Sequence, residues 1–265
     1  MEIGKPTVGN AVYRQYELEN STVKEFLEIL MRKHIGGLVS RSSLVGHNTF
    51  FDPNLFSWIS TLENNWQMIR QELEHVMQFQ DALPNFEELV EYDAELTKNT
   101  RWKMFAFYAY GIKAEKNCQH CPYTTHLIEQ IPGLKTAFFS ILLPHQRIPP
   151  HRGPYNGVLR YHLGLMVPES TDRCGIRVGH DIRYWQEGQS LVFDDSFEHT
   201  AWNETDSVRV VLFLDVVRPL AFPVSLLNQA VIKLFSWSPY IQGAAANQKK
   251  WDKRLDTLFN SSATQ

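Results

Sequence analysis

GVLRYHLGLMVP, residues 157–168, is the stretch on which the fold turns. Read with the period-2 alternation of a strand, Val158, Arg160, His162 and Gly164 share one face. Leu159, Tyr161, Leu163 and Leu165 share the other. One face is wholly apolar or aromatic, while the opposite one carries a guanidinium and an imidazole two residues apart. Alternation alone leaves that second face open between solvent and an interior site. Runs of the same β-branched and aromatic character lie on both sides: WKMFAFYAYG (102–111), TAFFSILLP (136–144), CGIRV (174–178), IRYW (182–185), SLVFD (190–194) and VRVVLFLDVV (208–217). Gly, Pro, Asn and Asp separate them, and one helical stretch, YTTHLIEQI (123–131), interrupts them. Many short strands with few helices predict an antiparallel sandwich or barrel.

Outside this region the apolar period is helical. STVKEFLEILMRKH (21–34), the long run 54–80 and VSLLNQAVIKLF (224–235) each place apolar residues at i, i+3, i+4 spacing. The expectation is one domain overall, mainly β with helical flanks. A helical N-terminal segment (1–100) packs on a β core (101–220), and a helical segment (221–265) follows. The carboxylates between Glu63 and Glu95 read as a solvated face.

Composition narrows the class. The chain has 265 residues, 43% hydrophobic and 21% charged, which is an ordinary globular composition. Its 26 Lys and Arg against 29 Asp and Glu leave a net charge of −3, with no global field to hold nucleic acid. The 3 cysteines form no disulfide framework, so a reducing, cytoplasmic compartment is expected. The opening residues do not read as a signal peptide, and no apolar run approaches the roughly 18 residues of a membrane span.

Histidine is unevenly spread. Of 10 imidazoles, seven (His120, His126, His145, His151, His162, His180 and His199) fall between 120 and 199. Imidazole is a ready ligand for divalent iron, and two histidines with open coordination positions suit oxygen-activating Fe(II). His151 follows a Pro-Pro pair after the 136–144 strand, and His199 follows the SLVFDDSFE run; neighbouring antiparallel strands can bring such ends together at a barrel mouth. Strand parity then puts Arg209, Val211 and Phe213 on one face of VRVVLFLDVV. An inward arginine is costly unless it meets a carboxylate, which a keto-acid co-substrate would supply.

HRGPYNGVLRYHLGL (151–165), FDDSFEHTAWN (193–203) and RVVLFLDVVRP (209–219) together resemble the aspartyl/asparaginyl β-hydroxylase family, from about Trp102 to Pro219. That resemblance implies a double-stranded β-helix (jelly-roll, cupin-like) core. It also implies an Fe(II)- and 2-oxoglutarate-dependent dioxygenase that uses O2 to hydroxylate an unactivated C–H. It assigns His151 and His199 as iron ligands and Arg209 as the partner of the distal carboxylate of 2-oxoglutarate. Ser140 and His162 match further co-substrate contacts. Arg160 matches a residue on the substrate side, and Trp102 one in the site wall. The acid that completes a 2-His-1-carboxylate triad is replaced by Gly153, as in the family, where water takes its place. Asp194 or Asp195 as a third ligand is the lesser alternative; an Asp ordering the His199 loop is preferred.

The substrate expected first is an Asp or Asn residue, peptidyl or free. A lipid acyl chain, as in lipid A hydroxylases, is the alternative. Val158 stands where a second substrate-binding arginine occurs in the animal enzymes, and nothing before Trp102 shows their helical repeat. The lipid A enzymes carry an N-terminal membrane anchor that is not evident here. A peripheral membrane contact through 224–235 is a further expectation, with Lys233 as the only charge of that segment. Lower alternatives are a thiol–disulfide oxidoreductase built on Cys118-Gln-His-Cys121-Pro122, a structural zinc site using those cysteines with His120 and His126, and a non-catalytic binding module.

Overall fold

A computed structural model describes residues 35–90, 101–169 and 172–262. Its strands are β1 (Phe50–Phe51), β2 (Trp102–Ala109), β3 (Ile112–Lys113), β4 (Leu134–Leu142), β5 (Gln146–His151), β6 (Val158–Met166), β7 (Cys174–Val178), β8 (Asp181–Tyr184), β9 (Ser190–Phe193), β10 (His199–Asn203) and β11 (Arg209–Val217). They form a seven-stranded sheet, β1-β9-β6-β11-β4-β2-β3, and a four-stranded sheet, β5-β10-β7-β8. The ladders are antiparallel, and the sheets face each other as a jelly roll of the double-stranded β-helix type.

The large sheet is buried on both faces, which is why its strands read as nearly continuous apolar runs. Leu159, Tyr161, Leu163 and Leu165 of β6 join Val210, Leu212, Leu214 and Val216 of β11 beneath Ile59, Leu62, Ile69 and Leu73 of two N-terminal helices. The opposite face puts Phe138, Phe193, Val211 and Phe213 against Ile148, Ile176, Val178 and Ala201 of the small sheet. Arg160 and His162 therefore point between the sheets, and the choice left open by alternation falls to an interior site.

Three expectations are refined. The 54–80 run is broken into a 3-10 turn (Pro53–Leu55) and helices Ile59–Asn64 and Trp66–Met77. The break is at Asn65, whose side chain leaves the helical pattern: Nδ2 donates to the Thr61 carbonyl (2.7 Å) and Oδ1 accepts from the Tyr123 hydroxyl (2.5 Å). β5 was not anticipated because its two prolines argue against a strand; it lies at the edge of the small sheet, where missing N–H donors are tolerated. The Glu63–Glu95 carboxylates are not all solvated. Glu63 accepts from the Ser190 N–H (3.0 Å), and Glu72 accepts from the Tyr123 and Thr124 N–H groups (2.8 Å each), at the start of helix Pro122–Glu129. The helix expected over 21–34 lies outside the described residues.

The C-terminal region forms helices Val224–Ser236 and Pro239–Ser262. Among the described residues no helix is long and apolar enough to cross a membrane.

Candidate active site

The central strands set the depth of the interior. Along β11 the inward positions run Arg209, Val211, Phe213, Asp215, and the register places Phe213 beside His162 and Asp215 beside Arg160. Arg209 is 1% exposed, whereas the Arg160 side chain is 18% exposed. Solvent thus approaches from the end at which β6 begins and β11 finishes, hereafter the mouth.

His151 and His199 are cross-strand partners at the mouth side of the small sheet, with ring centroids 4.1 Å apart. His151 Nδ1–H donates to the Pro149 carbonyl (2.8 Å), and His199 Nδ1–H donates to the Phe197 carbonyl (3.0 Å). A carbonyl can only accept, so each ring carries its proton on Nδ1 and leaves the Nε2 lone pair free. Burial lowers both pKa values, the Arg160 charge adds to this, and His151 further depresses His199. Two neutral, ligand-ready imidazoles therefore sit side by side.

Deeper in the barrel, polar groups lack the partners that burial demands. Arg209 Nη1 donates to the Ser140 carbonyl (3.4 Å) and Oγ (3.3 Å), and its guanidinium lies 4.5 Å from the Trp185 ring centroid. Its Nε has no partner and, among the described residues, it meets no carboxylate. Burial pulls its pKa down to about 10. His162 Nδ1 accepts from the Trp185 indole N–H (3.3 Å), which puts the imidazole proton on Nε2, a buried donor with nothing to bond. Burial, followed by the Arg209 and Arg160 charges, holds this ring neutral. Ser140 Oγ also accepts from the Trp102 indole N–H (2.9 Å), so its own O–H remains to donate. Trp102 is stacked on Phe86, with centroids 4.0 Å apart. Unpaired buried donors of this kind cost free energy unless a ligand completes them.

Arg160 is differently placed. Its Nη2 meets Asp195 (2.9 Å), its Nε meets Asp215 (2.9 Å), and its guanidinium lies over the Phe213 ring. Burial raises the Asp195 carboxyl to about 7, against the pull of Arg160. Asp195 also fills the space beside Gly153: a Cβ there would collide with its carboxylate. Among the described residues no three His, Cys, Asp or Glu side chains are grouped to hold a metal. Asp194 orders the His199 loop, as preferred from the sequence: it accepts from Ser196 N–H (3.0 Å) and Oγ–H (2.6 Å) and pairs with buried Arg218. Gly153→Asp, the substitution that would write in a triad acid, is expected to overpack this corner by about 1–3 kcal/mol. At about 2–4 °C per kcal/mol for a chain of this size, thermal denaturation checks it. An unchanged melting temperature would remove the steric reading of Gly153.

Asp215, Trp185 and Phe213 were not singled out as site residues. Continued alternation past Phe213 would have found Asp215; no pattern announced Trp185, which lies beyond β8. The cysteine alternatives lose their physical basis. Cys118 and Cys121 are buried, burial raises both thiol pKa values, and Glu72 occupies the helix N-terminus that would otherwise lower them. His126 hydrogen-bonds Gln130 instead (2.9 Å), and His145 bonds Asp206 at the surface (2.9 Å).

Strand order and paired interior imidazoles define a jelly-roll protein whose site lies between its sheets. The profile of the family described as aspartyl/asparaginyl beta-hydroxylase matches residues 63–219. The chain is 44% identical over 211 residues to the ornithine lipid ester-linked acyl 2-hydroxylase of Rhizobium tropici, covering 80% of this chain and 75% of that one. It is 35% identical over 170 residues to the human aspartyl/asparaginyl beta-hydroxylase, covering 62% of this chain but only 22% of the human protein. A cupin domain from Schizosaccharomyces pombe is 7% identical, with a TM-score of 0.33, covering 50% of this chain and 72% of that one. The chain belongs to the aspartyl/asparaginyl β-hydroxylase family, and its named relatives are hydroxylases.

Proposed function

We propose that this chain is an Fe(II)- and 2-oxoglutarate-dependent hydroxylase acting on the acyl chain of a membrane lipid. One observation supports the chemistry: a pair of imidazoles with free Nε2 atoms lies in the same interior as a buried guanidinium that lacks a carboxylate. His151 and His199 would hold the iron, and neutral imidazole is a fitting donor for it. Bound Fe(II) with 2-oxoglutarate and O2 would supply the oxidation of an unactivated C–H, releasing succinate and CO2. Arg209 would take the distal carboxylate of 2-oxoglutarate on its planar fork of donors. Ser140 O–H, held in place by Trp102 and Arg209, and His162 Nε2–H would donate to the same co-substrate. Phe138, Val211 and Phe213 keep water from the space between. Arg160, clamped by two carboxylates at the mouth, would bound the substrate side.

For the substrate, both classes admitted by the sequence occur among the relatives: one is named for a lipid acyl chain and another for Asp and Asn. The acyl chain is preferred because the lipid enzyme is the more similar of the two and is matched over most of its length. Three free, buried cysteines fit a reducing, cytoplasmic setting. The test is incubation with Fe(II), 2-oxoglutarate and O2, in parallel with membrane lipid extract and with Asp- and Asn-containing peptides. Addition of one oxygen atom to the lipid acyl chain, with succinate release, is expected. Oxygen confined to the peptides would overturn the substrate assignment; no succinate with either would overturn the chemistry.

A further inference from the structure

The helix Val224–Ser236 turns an apolar face away from the protein. Val224, Asn228 and Ile232 are seated inward, while Leu226, Leu227 and Leu234 point out. Phe222 before the helix is 78% exposed, and Trp237 at its end is 65% exposed, as is Leu234. Isolated exposed apolar side chains are ordinary, but positions 226, 234 and 237 fall on one stripe at helical spacing. Leu44, also exposed, borders the stripe: its N–H donates to the Pro219 carbonyl (3.0 Å), and Ser43 bridges to Leu220.

The charge of this stretch of sequence is one-sided as well. From 216 to 251 the sequence has no Asp or Glu, although the chain as a whole is acidic at −3. Lys233, Lys249 and Lys250 are exposed in that interval, and Lys233 Nζ lies 5.5 Å from the Trp237 ring centroid. This is the arrangement of an interfacial helix: apolar side chains, an amphipathic indole, and a lysine whose stem lies along them while its ammonium reaches the headgroups.

The helix is also tied to the mouth. Asn228 Nδ2 donates to the Gly157 carbonyl (2.9 Å), and its Oδ1 accepts from the Tyr155 hydroxyl (2.7 Å). A Cβ at Gly157 would collide with Asn228, so the contact is close. Residues 152–157 connect His151 to β6, which places the helix carrying the apolar stripe next to the end of the barrel through which solvent reaches Arg160.

We propose that this helix face docks on the surface of an anionic phospholipid bilayer, seating Phe222, Leu226, Leu234 and Trp237 at the headgroup–acyl boundary and turning the barrel mouth toward its lipid substrate. The proposal rests on the acyl-chain reading of the substrate, but its test does not. The full chain, without iron or 2-oxoglutarate, is sedimented with vesicles of mixed phosphatidylglycerol and phosphatidylcholine. The wild type pellets with the vesicles, and the double variant Leu226→Gln/Leu234→Gln partitions more than about tenfold less, since each lost burial exceeds about 1.4 kcal/mol. Both substituted side chains face water, so circular dichroism and melting temperature stay as in the wild type. A wild type left in the supernatant, or a variant that pellets equally, overturns the docking. So does sedimentation velocity showing a wild-type dimer that the variant abolishes, because a second copy would then cover the face. A chain that hydroxylates detergent-dispersed lipid yet ignores vesicles loses the docking alone. One that binds vesicles but oxidises only peptides loses the substrate reading alone.

Discussion

His151→Ala and His199→Ala are each expected to abolish succinate release from 2-oxoglutarate, with or without a second substrate. The loss should exceed about a hundredfold, because changes one shell further from a metal already cost 10–100-fold. Either substitution leaves a single imidazole, and no described carboxylate is grouped with it to take the vacated position. The fold should survive. Each ring is hydrogen-bonded to a carbonyl two residues earlier, and neither is one of the apolar side chains that pack the two faces of the large sheet. Succinate assay, anaerobic iron titration and circular dichroism together make the check. Unchanged succinate production in both variants would sink the iron assignment, whatever the substrate proves to be.

Arg209→Met is expected to separate stability from activity. A fully buried guanidinium without a carboxylate is a stability cost, and replacing buried charge by an apolar side chain of similar length often stabilises by about 1–4 kcal/mol. The variant should therefore melt higher than the wild type when neither holds co-substrate. Its turnover should fall sharply through a raised KM for 2-oxoglutarate, because the distal carboxylate would lose the buried guanidinium proposed to hold it. Arg209→Lys should not rescue it: an ammonium cannot present the same paired donors or lie flat over Trp185. Added 2-oxoglutarate should raise the melting temperature of the wild type and leave that of Arg209→Met unmoved, as expected for a ligand that binds only the folded, guanidinium-bearing site. A variant that melts lower and keeps its KM would show that Arg209 is structural.

Much of the site was legible because a strand writes its two faces into alternate letters. Arg160 and His162 on β6, and Arg209 on β11, declared themselves as polar interruptions of otherwise apolar faces, and the register brings those faces together. His151 was harder, since its strand carries two prolines; its place near a strand end only suggested that it could meet His199, and the resemblance to a family gave it a role. What stayed hidden was the non-local complement. Trp185 under Arg209, the orphaned Nε2 of His162 and the Asp195 carboxylate against Gly153 all depend on segments meeting across the barrel, about which no local period speaks. The helical flanks were legible as apolar spacing, but the break at Asn65 was not, because it depends on a partner, Tyr123, 58 residues away.

The large sheet ends in β1 on one side and β3 on the other, strands of two residues each. Both outermost strands are too short to serve as a template that another chain could extend into a longer sheet. The four-residue β8 closes one side of the smaller sheet and carries Asp181 and Arg183, charges that discourage strand recruitment there as well. The β core is thus shut to strand-by-strand growth along these margins. Along these margins, and among the described residues, contact with another body falls to side chains rather than to backbone pairing, so a neighbour can lie against the molecule there without being annealed to it.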